Sequence, residues 1–172
     1  TADSGGISGG SIDAGTFIDL DASGGAISGT GSLEADGQIT IDGTAGVTFV
    51  DVTSPDAITV NAGGAIGFGA VSGRDIQLTA GGAITATSVI SPNTTAGSPD
   101  RVVLDAGGNV LVTGTVQAID SVDIDGGAVT IRTVRSGSAD KLATGAVSVN
   151  NALGAVHDFV GTAISINSGT TA

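Results

Sequence analysis

ITVNAGGAIGFGAVSGRDIQLTAGGAITATSV, residues 58–89, contains the phrase AGGAI twice, beginning at Ala62 and again 18 residues later at Ala80. Each occurrence belongs to a longer unit. An apolar residue is followed by any residue, a second apolar residue, an Asp, Asn or Thr, and a glycine-rich turn leading to another Ile or Val. Alternation of apolar and polar residues is strand periodicity. A chain that returns to one phrase at short intervals is a repeat protein, each copy finding its apolar contacts in the next.

Working outward, eight copies begin at Ile18 (IDLDASGGAI), Ile39 (ITIDGTAGV), Ile58 (ITVNAGGAI), Ile76 (IQLTAGGAI), Val102 (VVLDAGGNV), Val122 (VDIDGGAV), Val147 (VSVNNALGAV) and Ile164 (ISINSG). Their starts are 21, 19, 18, 26, 20, 25 and 17 residues apart. The stretch DSGGISGGSIDAG near the N-terminus reads as the remainder of an earlier copy, and the last copy is cut off at Ala172. After its turn each unit restarts on an inward Ile or Val and reaches a third inward position such as Leu33, Val52, Val71, Val89 or Val116. Three short strands cannot bury an apolar face alone. Stacking the copies, like on like, closes the core and pairs the backbone.

The expected fold is therefore all-β: a single-stranded right-handed parallel β-helix of about eight coils of about 19 residues, with three short strands per coil. The right hand follows from the rule for parallel crossovers. Residues 1–172 read as one solenoid segment of a longer repeat protein. Its open edges would pair with further coils of the same polypeptide or, end to end, with another subunit. The two longest intervals carry surplus residues, SPNTTAGSPD (91–100) and RSGSADKLATG (135–145). Both are expected to project as loops, the first because its two prolines cannot donate to a ladder.

Composition agrees. Hydrophobic residues make up 40% of the chain but aromatics only 2%, namely Phe17, Phe49, Phe68 and Phe159. Such a core is aliphatic, one side chain deep from each wall. Thirty glycines are incompatible with helices, each costing about 1 kcal/mol relative to Ala. In a narrow coil they are expected to supply turns at φ > 0, with Gly63-Gly64, Gly81-Gly82 and Gly107-Gly108 stacked along the axis. The net charge of −12 and five scattered cations exclude a nucleic-acid surface. Apolar runs are too short to span a bilayer as a helix. With no cysteine there are no disulfides or thiolate metal sites.

Aligning the copies exposes a polar column: Asp21, Asp42, Asn61, Thr79, Asp105, Asp125, Asn150 and Asn167. Short carboxylates and amides at strand ends accept hydrogen bonds from turns and bond to one another along a stack. That structural role is the expectation. The alternative is Ca²⁺ held by stacked pairs such as Asp21 with Asp42 or Asp105 with Asp125. The calcium-binding nonapeptide needs GGxGxD, whereas here Ala-Ile follows Gly-Gly, and no cofactor is expected. A second acidic set, Asp36, Asp56, Asp75, Asp100 and Asp120, precedes each following strand and is expected to coat one edge with negative charge. No catalytic site is expected: there is no Trp or Tyr to stack on a sugar, and His157 and Asp158 are adjacent strand residues facing opposite ways. Paired motifs Thr85-Ala86-Thr87 and Thr113-Gly114-Thr115 suggest an ice-binding threonine face, but the row Ser28, Thr48, Gly67, Thr85, Leu111, Thr130 is too broken for one.

The repeated [IV]-x-[LVI]-[DNT]-x-GG-x-[IV] unit, in phrases such as LTAGGAITATSV and LDAGGNVLVTGTV, resembles the β-helical repeats of filamentous haemagglutinin-like adhesins of Gram-negative two-partner secretion. It is also similar to autotransporter passenger shafts. The likeness covers nearly the whole chain. It implies a right-handed parallel β-helix, export as an unfolded chain, and a secreted or cell-surface location. The family's NPNG and NPNL secretion motifs are absent, so within that family this would be an interior or C-terminal slice, and no binding residues carry over. The expected function is a rigid stalk in adhesion, biofilm or an extracellular filament. The alternative is a module that recognises a host or neighbouring-cell glycan or protein through the loops at 91–100 and 135–145.

Overall fold

A computed structural model describes residues 1–2, 5–92 and 100–136, together with the strands Ala146–Asn150, Phe159–Val160 and Ala163–Asn167. Among the described residues every strand pairing is parallel, and the chain winds as a solenoid with three walls. The first wall is an eight-stranded sheet built from Ile18–Ala22, Ile39–Gly43, Ile58–Ala62, Ile76–Ala80, Arg101–Ala106, Ser121–Asp125, Ala146–Asn150 and Ala163–Asn167. Each of the eight sequence copies supplies one strand. Ile58 lies between Ile39 and Ile76, and Val60 between Ile41 and Leu78, so the copies stack residue for residue. The circumference of one winding is what sets the interval between copies.

The second wall runs through Ile7–Gly9, Ile27–Gly29, Val47–Thr48, Ile66–Gly67 and Ile84–Ala86. The third runs through Ile12–Ala14, Leu33–Ala35, Val52–Thr53, Ala70–Ser72 and Ser88–Ile90. The expected third inward column is present, since Val71 sits between Val52 and Val89, and Val89 pairs with Val116. Three strands per coil hold only in the lower windings. Above them Val110–Ala118 and Val129–Ser136 each continue through both walls, with a register shift between Val112 and Thr115. An extra residue absorbed at the corner as a bulge lets one strand do the work of two.

Six windings, from Ile18 to Ser136, show all three walls among the described residues, where eight coils were expected; the seventh contributes a first-wall strand and Phe159–Val160, which pairs with Val134 and Arg135, and the eighth a first-wall strand. The N-terminal fragment is indeed part of a coil. Ile7 pairs with Ile27, Ile12 with Leu33, and Ala2 bridges to Ala22. Both surplus segments begin or end inside the walls. Ser91 and Asp100 are buried, and Arg135 and Ser136 belong to a strand rather than to a loop. Residues 93–99 and 137–145, which carry the rest of those expected loops, lie outside the described residues.

The core is a set of aliphatic columns. Ile27, Val47, Ile66, Ile84, Val110 and Val129 form one, all nearly or fully buried. Fully burying each such side chain stabilises the coil by about 1.5–3 kcal/mol. Among the residues whose burial is described, two aromatics enter the interior, Phe49 and Phe68, in adjacent coils. Their volume is accommodated by Gly29 beneath, whose missing side chain leaves room for the Phe49 ring, and by the small Ala86 above. Small residues thus flank the aromatic pair along the axis and keep the packing dense.

The glycine pairs stack as expected, but for a different reason. None of the glycines whose surroundings are described lies in the left-handed region. The turns instead bring backbone onto backbone: Gly81 N–H donates to Ala62 O (2.9 Å), Gly107 N–H to Ala80 O (2.8 Å) and Gly108 N–H to Gly82 O (2.9 Å). A Cβ on Gly63, Gly81 or Gly107 would run into the carbonyl oxygen of the residue below. Close approach, not φ > 0, is what requires glycine here.

Candidate functional site

The outward residues of a solenoid form rows along its axis, so any site must be assembled from equivalent positions in successive coils. The polar column occurs as aligned. Asp21, Asp42, Asn61, Thr79, Asp105 and Asp125 occupy successive first-wall strands in register, and Asn150 pairs with Asn167. Neighbours in the row are one strand spacing apart, about 4.8 Å. The Asn61 amide donates to Asp42 Oδ1 at 2.7 Å, which is the side-chain bonding expected of a structural stack. Beside this row Ala22, Gly43 and Ala62 floor an open groove of about 410 Å³. Among the described residues no three acidic or histidine side chains converge as metal ligands do.

The second acidic set separates in three dimensions. Asp56, Asp100 and Asp120 lie two residues before the first-wall column that starts each coil, Asp75 lies one before it and Asp36 three before it. Arg74 and Arg101 fall into the same two columns. Arg74 Nη2 meets Asp56 Oδ1 at 2.8 Å, and Arg101 binds both oxygens of Asp75, Nε at 3.2 Å and Nη2 at 3.1 Å. Those bonds and the attraction of the Asp75 carboxylate raise the affinity of the Arg101 guanidinium for its proton. The edge expected to be coated with negative charge thus carries a cation in two coils, Arg74 between Asp56 and Asp100 and Arg101 above Asp75, while Asp100 and Asp120 follow one another in the same column. Opposite charges on neighbouring strands attract across the ladder, whereas like charges would repel.

This corner is tied together from inside by serines that the sequence reading did not single out. Ser54, buried, donates to Gly37 O (2.7 Å) and accepts from the Asp56 N–H (2.9 Å). Ser91 donates to Arg74 O (2.5 Å), and the Asp100 N–H donates to Asp120 Oδ2 (3.0 Å). Each serine side chain spans to the corner of the coil below. Only the restriction of these positions to small residues (Ala35, Ser54, Gly73, Ser91, Ala118, Ser136) could have signalled a tight corner.

Below the ion pairs the corner opens into a shallow trough of about 460 Å³, lined by Thr16, Phe17, Asp36, Gln38, Asp56 and Arg74 over a floor of Gly37 and Ala57. Phe17 stands 61% exposed at its lower end. The other threonine-rich wall is less regular than its motifs suggest. Thr85 pairs with Leu111, not with a threonine, and the bulge at Thr113-Gly114 interrupts the row. His157 and Asp158 lie outside the described residues. Among the described residues no helix is long and apolar enough to cross a membrane.

No protein-family model matches this chain, and no curated protein or solved structure matches it either.

Proposed function

We propose that this chain is a shaft segment of an exported bacterial surface protein or extracellular filament, akin to the stalks of filamentous haemagglutinin-like adhesins. Its role in this reading is mechanical rather than catalytic: it sets a distance between what lies at its two ends. The observation that carries the proposal is the unbroken residue-for-residue register, Ile18 to Ile39 to Ile58 to Ile76 to Val102 to Val122, under one continuous ladder. Each added copy lengthens such a rod by about 4.8 Å without changing its cross-section. Eight copies give a rod of roughly 40 Å. A shaft of this kind can be lengthened by duplication alone, since each coil contacts only its neighbours.

Small-angle scattering on variants carrying one or two extra copies of residues 58–75, inserted before Ile76, tests this. The expected result is a longest dimension growing by about 5 Å per copy at constant cross-sectional radius, with Tm rising. Growth in all dimensions, or copies that lower Tm, would remove the basis for a shaft. The location is tested separately, by accessibility of a tag on the protein to antibody on intact cells.

A further inference from the structure

The corner trough has an inventory of groups that a shaft does not need. Phe17 exposes an aromatic surface at the rim of the trough. Asp36 and Gln38 are exposed, and among the described residues nothing partners their side chains or the Thr16 hydroxyl. Asp56 is engaged through Oδ1 only, and Arg74 spends one of its nitrogens on it. The trough thus offers acceptors (Asp36, the second oxygen of Asp56, the Gln38 carbonyl) and donors (the Gln38 amide, the remaining Arg74 N–H groups, Thr16) beside an apolar ring.

That mixture discriminates between ligand classes. A cation wants acceptors alone, and the donors here repel it. A phosphate or sulfate wants donors alone, and two carboxylates in a protein of net charge −12 oppose it. A sugar has hydroxyls that donate and accept at once, on a ring with an apolar face that stacks on an aromatic. The volume falls within the roughly 300–1,000 Å³ typical of ligand sites. Its lining residues come from four successive coils, so a ligand lying along the axis spans about 14 Å, two to three sugar units.

We infer that the trough between Phe17 and the Asp56–Arg74 ion pair is a binding site for a neutral oligosaccharide lying along the solenoid axis, with Phe17 stacking on one ring and Asp36, Gln38 and Arg74 bonding its hydroxyls. The inference does not rest on the shaft reading, because either can fail while the other stands. Uronate chains are excluded by the same carboxylates that bind neutral ones.

Amide chemical-shift titration of the isotope-labelled protein tests it, with β-linked tetramers of glucose and of N-acetylglucosamine as probes and a galacturonate tetramer for comparison. The expected result is saturable shifts at Gly37, Gln38 and Ala57 with at least one neutral tetramer and none with galacturonate. Phe17→Ala and Asp36→Ala each weaken binding about tenfold. Ala57→Lys abolishes it by filling the floor while the coil remains intact, because the same column holds Asp75 and Arg101 in the next two coils; circular dichroism verifies the fold. Absence of saturable shifts at the corner with both neutral tetramers, equal binding of galacturonate, or affinity unchanged in all three variants overturns the inference.

Discussion

Gly107→Ala tests the claim that coil-to-coil approach, not turn conformation, requires glycine. A Cβ built on Gly107 lies 2.5 Å from the carbonyl oxygen of Gly81 and 3.1 Å from its carbon, about 0.5 Å inside the closest approach real Cβ atoms show. The clash is with backbone, which no rotamer change relieves. The turn must lift by about that amount, stretching the bonds from Gly107 N–H to Ala80 O (2.8 Å) and from Gly108 N–H to Gly82 O (2.9 Å) to about 3.3–3.4 Å. Two weakened hydrogen bonds at about 1 kcal/mol each give a loss of about 2 kcal/mol. That matches the 1–3 kcal/mol typical of overpacking, roughly. Gly67→Ala is the control, because its nearest neighbours are the Thr48 side-chain atoms at 3.7 Å. It should be neutral, or stabilising by about 0.4–1 kcal/mol through the unfolded state. Gly107→Asn adds a discriminating case: a left-handed turn tolerates Asn, whereas a close approach penalises it as much as Ala. Urea denaturation with a common m-value measures all three. If Gly107→Ala and Gly67→Ala prove equally stable, or Gly107→Asn is spared, the close-approach account is wrong.

Other expectations concern the interior and the corner. Ser54→Ala should cost about 1–2 kcal/mol, read as a Tm several degrees lower, because Gly37 O and the Asp56 N–H lose their partner while Ala35 one coil below shows that alanine fits. Gly29→Ala should destabilise by about 1–3 kcal/mol through collision with the Phe49 ring, and Phe49→Leu should rescue it; an additive double mutant would show that the two do not share space. Arg101→Gln should cost at most about 1 kcal/mol, less at high salt, because its pair with Asp75 is half exposed. Since folding raises that guanidinium's proton affinity, its contribution is complete below the unfolded pKa and lost only at extreme alkalinity; the difference between Arg101→Gln and wild type should stay constant from about pH 6 to 9. A difference that vanishes within that window would place the interaction elsewhere.

Circumference, wall number and inward columns were legible in the sequence alone. Hydrophobic alternation is local, and a copy that stacks on its own repeat must place like over like, so Ile58 over Ile39 and Val71 over Val52 follow from the spacing. The tertiary structure decided what happens where copies differ in length. Asp36, Asp56 and Asp75 look equivalent in the sequence because each precedes a strand, yet the corner takes up one residue more or less in each coil and puts them in three columns. Only that offset brings Arg74 onto Asp56 and Arg101 onto Asp75, and leaves Asp36 and Phe17 facing an open trough. The role of the glycines was settled the same way: composition shows that side chains are missing, and the carbonyl of the coil below shows what they would have struck. Strand pairing is encoded by period, whereas corners are encoded by contacts between coils that no single copy contains.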